Sequence, residues 1–206
     1  MSKENDKKSK NKNSGLLKKY NMKWVLLITL WTFLLAISVS LISESILRNF
    51  NVLPAFISLI LIIIFGVFFD VIGIAVTASD EKVFHSMAAN KVKEAKYAVK
   101  LVRNAGPVSN FCNDVIGDIS GIISGAAGTT IILKLVNEYG IKEGALLSII
   151  MSGIIASLTV GGKAIGKEVA IKKSEKIVFY ASKFLMLIHV KLGIDILPEL
   201  RKKKNI

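Results

Sequence analysis

The sequence is poor in the residues that build most metal and catalytic centres. Its single cysteine, Cys112, excludes a disulfide framework and a cysteine-based zinc site. Its two histidines, His85 and His189, are isolated, which argues against a histidine metal cluster and leaves interfacial positions as their reading. No nucleophile–base pair and no metal-ligand motif is visible, so the chain is not read as an enzyme. Charge is also missing from long stretches. Residues 24–43, WVLLITLWTFLLAISVSLIS, contain none, and residues 53–78, LPAFISLILIIIFGVFFDVIGIAVTA, contain only Asp70.

What is present explains those gaps. Apolar residues make up 52% of 206 residues, and charge is gathered into blocks. About 20 apolar residues at 1.5 Å each cross a hydrocarbon core of roughly 30 Å. Residues 24–43 therefore read as a membrane span. The run is too long for a signal-peptide core and lacks a small-x-small cleavage site at its end. A second span covers residues 53–78 after a short link at 44–52. A third runs from about Val108 to Val136, and a fourth from Ala145 to about Val160. Gly140 is the expected stop of the third helix. The fold class is thus all-α, a polytopic membrane protein with four transmembrane helices.

Between the second and third spans, residues 80–105 change character. Val83, Met87, Val92, Ala95, Val99 and Val102 recur at helical spacing among lysines. This predicts an amphipathic helical hairpin at a surface, ended by Gly106-Pro107. Residues 178–197, VFYASKFLMLIHVKLGIDIL, are interrupted by Lys183, His189, Lys191 and Asp195. They suit an interfacial helix better than a fifth span, and 181–206 form that helix's end and a basic tail. Residues 1–23 read as a disordered basic tail.

The net charge of +13 raises the question of nucleic acid. Lys and Arg number 8 in the first tail, 1 in the 44–52 link, 6 in 80–105, 2 in 134–143 and 11 in 163–206. This many–few alternation places both termini and the hairpin in the cytoplasm by the positive-inside rule. Topology accounts for the basic balance, so nucleic acid is not a required partner. Lysine-rich ends against anionic lipid fit the same pattern. The high Lys, Asn and Ile content points to an AT-rich bacterial genome.

Acids inside spans mark function. Asp70 lies near the inner end of the second span. Asp114 and Asp118 lie in the third, within NDVIGDISGIISGAAG, at a spacing that puts them on one face. Asp114 is near the interface and reads as solvated. Gly117, Gly121 and Gly125 form a small-xxx-small ridge beside Ser120 and Ser124, which predicts a protein-facing side for the acids. In the fourth span, Gly161, Gly162 and Gly166 surround Lys163. They are expected to weaken the helix there, freeing carbonyls that can hold cations.

Three stretches resemble the membrane domain of the CorB/CorC magnesium and cobalt transporters, the CNNM-type family. Residues 68–78, FFDVIGIAVTA, are similar to the family's FFSGSETALTA. KEAKYAVKLVRNAGP before FCNDVIGD resembles RAKRALRLLENP before STVLIGNN. Residues 160–178, VGGKAIGKEVAIKKSEKIV, resemble VFGEVLPKSLAARNPERIA. The order and spacing of the three carry the likeness, which covers about residues 60–180. It implies a family-like domain over 53–180 with one additional span, 24–43, in front. It also implies a cation pocket, a plasma-membrane location and a homodimer. No nucleotide is expected, since the cytosolic CBS domains common in the family would follow the end of this chain.

The departures fall at the pocket. Asp70 stands where the family has serine, Gly73 where it has glutamate, and Asp118 where it has asparagine. Lys163 stands where it has glutamate and Gly166 where it has proline, while Lys167 keeps the lysine. The resemblance therefore assigns a candidate pocket for Mg2+ or another divalent cation to Asp70, Asp118, Ser120, Ser124 and the carbonyls near Gly161 and Gly162. Lys163 is the charge partner, an ammonium able to take the ion's place; the alternative for it is a side chain that snorkels to the headgroups. The function expected is cation transport or its regulation; the alternative is a non-transporting membrane adaptor with a degenerate site.

Overall fold

The computed structural model describes residues 22–49, 51–140 and 144–192. These residues are helical nearly throughout, and no strand occurs among them. The helices are α1 (Met22–Asn49), α2 (Val52–Ala78), α3 (Glu81–Ala89), α4 (Ala95–Arg103) and α5 (Ala105–Ser109). A π-helical segment, Asn110–Gly117, then joins α5 to α6 (Asp118–Tyr139), followed by α7 (Gly144–Lys172) and α8 (Ser174–Leu192). Four stretches are long and apolar enough to cross a bilayer: Leu26–Ser45, Val52–Ala78, Ala105–Glu138 and Gly144–Lys172. This is the make-up of a multi-pass membrane protein.

The chain divides at Ser43 into two units. In the first, α1 presents large apolar side chains around its circumference, among them Leu27, Leu30, Trp31 and Phe33, all exposed. Ser38 disposes of its hydroxyl within the helix by donating to the Leu34 carbonyl at 2.8 Å. A helix apolar all round has no polar face to offer water and suits lipid.

The second unit is organised by α2, which packs against α6, α7 and α8. Its two ends sit in separate cores. At the Val52 end, Leu47, Ala55, Leu59, Ile131 and Met151 form one buried cluster. There the Lys134 ammonium donates to the Leu47 carbonyl, satisfying a helix-end acceptor. At the Ala78 end, Val76, Phe84, Ala98, Leu101, Ala170 and Val178 form the other. The hairpin α3–α4 and the helix α8 thus dock on the ends of α2 and α7.

Between the cores, glycines set the helix spacing. A methyl on Gly66 would stand 2.7 Å from Ser120 Cβ, and one on Gly73 would stand 2.0 Å from Asn113 Oδ1. On the other side, methyls on Gly162 and Gly166 would meet Val67 and Val71 at 3.0 and 2.7 Å. Paired positions run in opposite directions along α2 and the third span, and in the same direction along α2 and α7. The three helices are therefore packed down–up–down, as consecutive membrane spans must be.

Several boundaries differ from the sequence expectation. Residues 44–49 are not a link but the last turns of α1, where Ser43 and Leu47 are buried within the second unit. Gly106-Pro107 do not end the hairpin. They form the first turn of α5, where a missing N–H costs nothing, and the break falls earlier, at Asn104. The fourth span does not stop near Val160 but continues to Lys172. Gly140 does end its helix, in the left-handed conformation at φ +62°. The hairpin turns through Lys91, which holds φ +63°, a costly value for a residue with a Cβ. The expected interfacial segment is helical from Ser174 to Leu192, running through position 180 without a break. The basic tail at 1–21, like 193–206, lies outside the described residues.

Candidate intramembrane ion site

Asp70 is the one acid of α2, and it lies about 12 Å along the helix from Ala78. It is buried, 8% exposed. Two features of the neighbouring helices bring partners to it. On α7, Lys163 lies about 14 Å from Lys172, at the same level. Its Nζ stands 3.8 Å from Asp70 Oδ1 and 3.7 Å from Asp118 Oδ1. On the third span, Gly117 leaves room for that ammonium. A methyl there would stand 3.4 Å from Lys163 Nζ, 3.5 Å from the Cys112 carbonyl oxygen and 3.7 Å from Asp70 Oδ1. The Lys163 ammonium and the Asp70 carboxylate thus meet at one small gap beside Gly117, while the Cys112 oxygen belongs to the π turn's own backbone.

The π segment shapes this face. Its wider turn inserts a residue into the third span next to Asp70, a deviation found often at functional sites. It places Cys112 and Gly117 inward, both buried. It also turns Asn113 against Gly73, with Nδ2 donating to Ser109 Oγ at 3.2 Å and Oδ1 buried without a partner. Burying an unpaired amide oxygen is unfavourable, so this interface holds an unspent acceptor. Nothing in NFCNDVIG distinguishes a π-helix from an α-helix by pattern, which is why the sequence did not reveal it.

The expected site residues separate into groups. Asp70, Asp118 and Lys163 are brought together. The acids do not share one protein-facing side, however: Asp70 is enclosed, whereas the Asp118 side chain is 67% exposed and Asp114 is exposed too. The glycine ridge explains this. Only Gly117 faces the neighbouring helices. Methyls on Gly121 and Gly125 would meet nothing within 4 Å, so that part of the ridge lies on the outer face with the two acids.

Ser120 and Ser124 are buried one and two turns above the site. Their hydroxyls donate to the Ile116 and Ser120 carbonyls at 2.8 and 2.7 Å, which spends their protons inside the helix. The expected unwinding near Lys163 is absent. The α-helix runs unbroken through Gly161, Gly162 and Gly166. Gly162 and Gly166 serve close packing on α2, and Gly161 faces open space. Their carbonyls are therefore not freed for a cation.

Next to the site, between α2 and α7, lies a half-open groove of about 480 Å³. Its lining, including Ile60, Ile64, Val67, Phe68 and Leu158, is apolar and offers a cation no ligand. Among the described residues no group of three or more His, Cys, Asp or Glu side chains converges. The polar chemistry of the membrane region is thus concentrated at the ammonium and its two carboxylates. Unit charges about 4 Å apart interact by about 4 kcal/mol at an effective dielectric of about 20. That is comparable to the several kcal/mol an unpaired acid costs at membrane depth.

Outside the membrane region a second ionic cluster ties the hairpin together. Glu81 Oε1 accepts from Arg103 Nε at 2.6 Å and from His85 Nε2 at 2.6 Å. Burial pushes the Glu81 carboxyl up, but these two hydrogen bonds and the charges behind them outweigh it and hold the group below its usual value. The fold and the charge placement among the described residues define a multi-pass, all-α membrane protein with a cluster of two acids and a lysine between three spans. Comparison with family models, with curated proteins and with solved structures finds no match.

Proposed function

We propose that this is a plasma-membrane protein of the cation-transporting type, with both termini cytoplasmic, whose ion site is the gap between Asp70, Lys163 and Asp118. One observation carries the reading: three helices each deliver one charged side chain to the same level of the bilayer region, with both carboxylates within 4 Å of the one ammonium. Charges are costly there and persist where they face an ion pathway or one another. The resemblance to CorB/CorC membrane domains points to the same positions. The lysine then acts as a tethered cation, holding the carboxylates in place until an ion or proton takes over part of its role. An exposed Asp118 beside the open Gly121–Gly125 ridge supports a homodimer, because a second helix can approach small residues closely and cover the acid.

A second reading is a membrane adaptor that moves no ion. The observation favouring it is that Lys163 already neutralises part of the acidic charge from within the chain. Flux through proteoliposomes separates the two. Uptake of a cation by the wild-type chain, reduced at least tenfold in Asp118→Asn, is the expected result. Absence of flux for every cation tried, magnesium included, would sink the transport reading and leave the adaptor.

A further inference from the structure

We infer that the site takes up one single positive charge, a proton or an alkali-metal ion, beside Lys163, and that it does not accept a divalent cation while that lysine is present. The inference rests on the proposed site and narrows what the site binds. Its basis is charge and spacing. Asp70 and Asp118 bring two negative charges and Lys163 one positive, so the group is left one positive charge short of neutral. Asp114, one turn farther along the third span, lies on the exposed face, where solvent and salt screen it. Around Asp70, α2 presents no other charged group, the third span presents Asp118 and, a turn farther, Asp114, and α7 presents Lys163. Cys112, buried on the third span, is the further titratable side chain.

The spacing leaves room for the missing charge. Lys163 Nζ stands 3.8 and 3.7 Å from the two carboxylates, beyond the 2.7–2.9 Å of a direct charge-assisted hydrogen bond. The ammonium is held near both acids without closing on either. Gly117, with no side chain, keeps the gap open. A monovalent ion or a proton on one carboxylate brings the group to neutrality. A dication would overshoot it and sit against the ammonium. Removing the lysine reverses the preference, because two bare carboxylates match one dication.

The test uses the full chain in neutral-lipid nanodiscs, followed by thermal melting. Sodium, potassium and magnesium chlorides are compared with choline chloride at equal ionic strength, and pH is varied from 8 to 6 in choline alone. The expected wild-type result is a rise in Tm of several degrees with sodium or potassium, or with falling pH, and no rise with magnesium beyond choline. The salt and pH arms tell the alkali ion from the proton. Asp70→Asn is expected to abolish the response, and Lys163→Met to gain magnesium binding at least tenfold tighter than wild type.

Magnesium stabilising the wild type as strongly as Lys163→Met overturns the inference. So does a wild type indifferent to protons and to both alkali ions, or a response that survives in Asp70→Asn. If Lys163→Met does not fold, the wild-type and Asp70→Asn arms still decide. Monovalent binding without flux would refute transport and keep this inference; magnesium flux with no monovalent response would do the reverse.

Discussion

The protein holds two ionic clusters, and they are built in opposite ways. On the hairpin, Glu81, His85 and Arg103 touch at 2.6 Å, yet the side chains of His85 and Arg103 are half-exposed. Between the spans, Lys163 lies 3.7–3.8 Å from its acids, and one of them, Asp70, is buried. Short contacts in water contribute little, because the solvent competes for each group and salt screens the charges. Longer contacts in an apolar surround matter more, because nothing else compensates the charge. Distance alone would rank the clusters the wrong way round.

The sharpest way to break this comparison is to remove the ammonium. Lys163→Ala leaves Asp70 and Asp118 facing each other, and removing one partner of a buried pair costs about 3–5 kcal/mol. With Lys163 partly exposed, the lower end of that range is expected. Unfolding in detergent, read as loss of helix by circular dichroism, measures it. A loss below about 1 kcal/mol would mean that water already compensates Asp70, and the distinction between the clusters would fail.

Next in size is a change that keeps every charge and closes the gap between helices. Gly73→Ala places a methyl 2.0 Å from Asn113 Oδ1 and 3.1 Å from Cys112 Cβ. Overpacking of this kind costs typically 1–3 kcal/mol. The adjoining Asp70 must shift with its backbone, so ion response is expected to fall together with Tm. Gly121→Ala is the control, since that methyl meets nothing within 4 Å. Equal effects from both would show that the packing face has been misidentified.

How much of this was legible in the sequence depends on what each residue's pattern encodes. Four apolar runs and the alternation of lysines around them are one-dimensional signals, and the spans followed from them. The hairpin was legible for the same reason, from apolar positions at helical spacing. Asp70, Asp118 and Lys163 stood out because charge in an apolar run is conspicuous wherever it sits. Which way they point was not legible. Gly117, Gly121 and Gly125 look alike as a ridge, but each four-residue step drifts about 40° around an α-helix, and Gly117 alone of the three faces inward. The glycines around Lys163 suggested unwinding, yet on α7 they permit close packing against Val67 and Val71. A glycine weakens a helix and also lets another approach, and only the neighbour decides which effect wins.

The exposed acid of the membrane site offers a finer test. Asp118 shares Lys163 with Asp70 but is 67% exposed. Asp118→Asn should therefore cost under about 1 kcal/mol of stability. Asp70→Asn is expected to change stability more, since its carboxylate is the enclosed one. The two variants have the same change in charge, so a difference between their melting temperatures isolates burial. If Asp118→Asn proves the more damaging, something outside the single chain covers that face, and a second copy becomes the first candidate to examine by cross-linking from position 121.

The smallest effect is expected at the hairpin, and pH reveals its sign. Glu81 has its carboxyl held below its ordinary value of 4.5 by hydrogen bonds and charge from Arg103 and His85, which outweigh burial. A group lowered on folding stabilises the folded state above its unfolded value, and that contribution is lost as pH falls through its folded value. The loss should therefore begin near pH 4.5 and continue below it, with no change between pH 6 and 8 from this group. With Glu81 about a third exposed, the contribution is under about 1 kcal/mol. Glu81→Gln should lower Tm slightly at pH 7 and flatten the acid limb between pH 5 and 3, and 0.5 M salt should shrink the difference from wild type. An effect as large as that of Lys163→Ala would mean the hairpin cluster is shielded from solvent, and its short distances would then be a measure of strength after all.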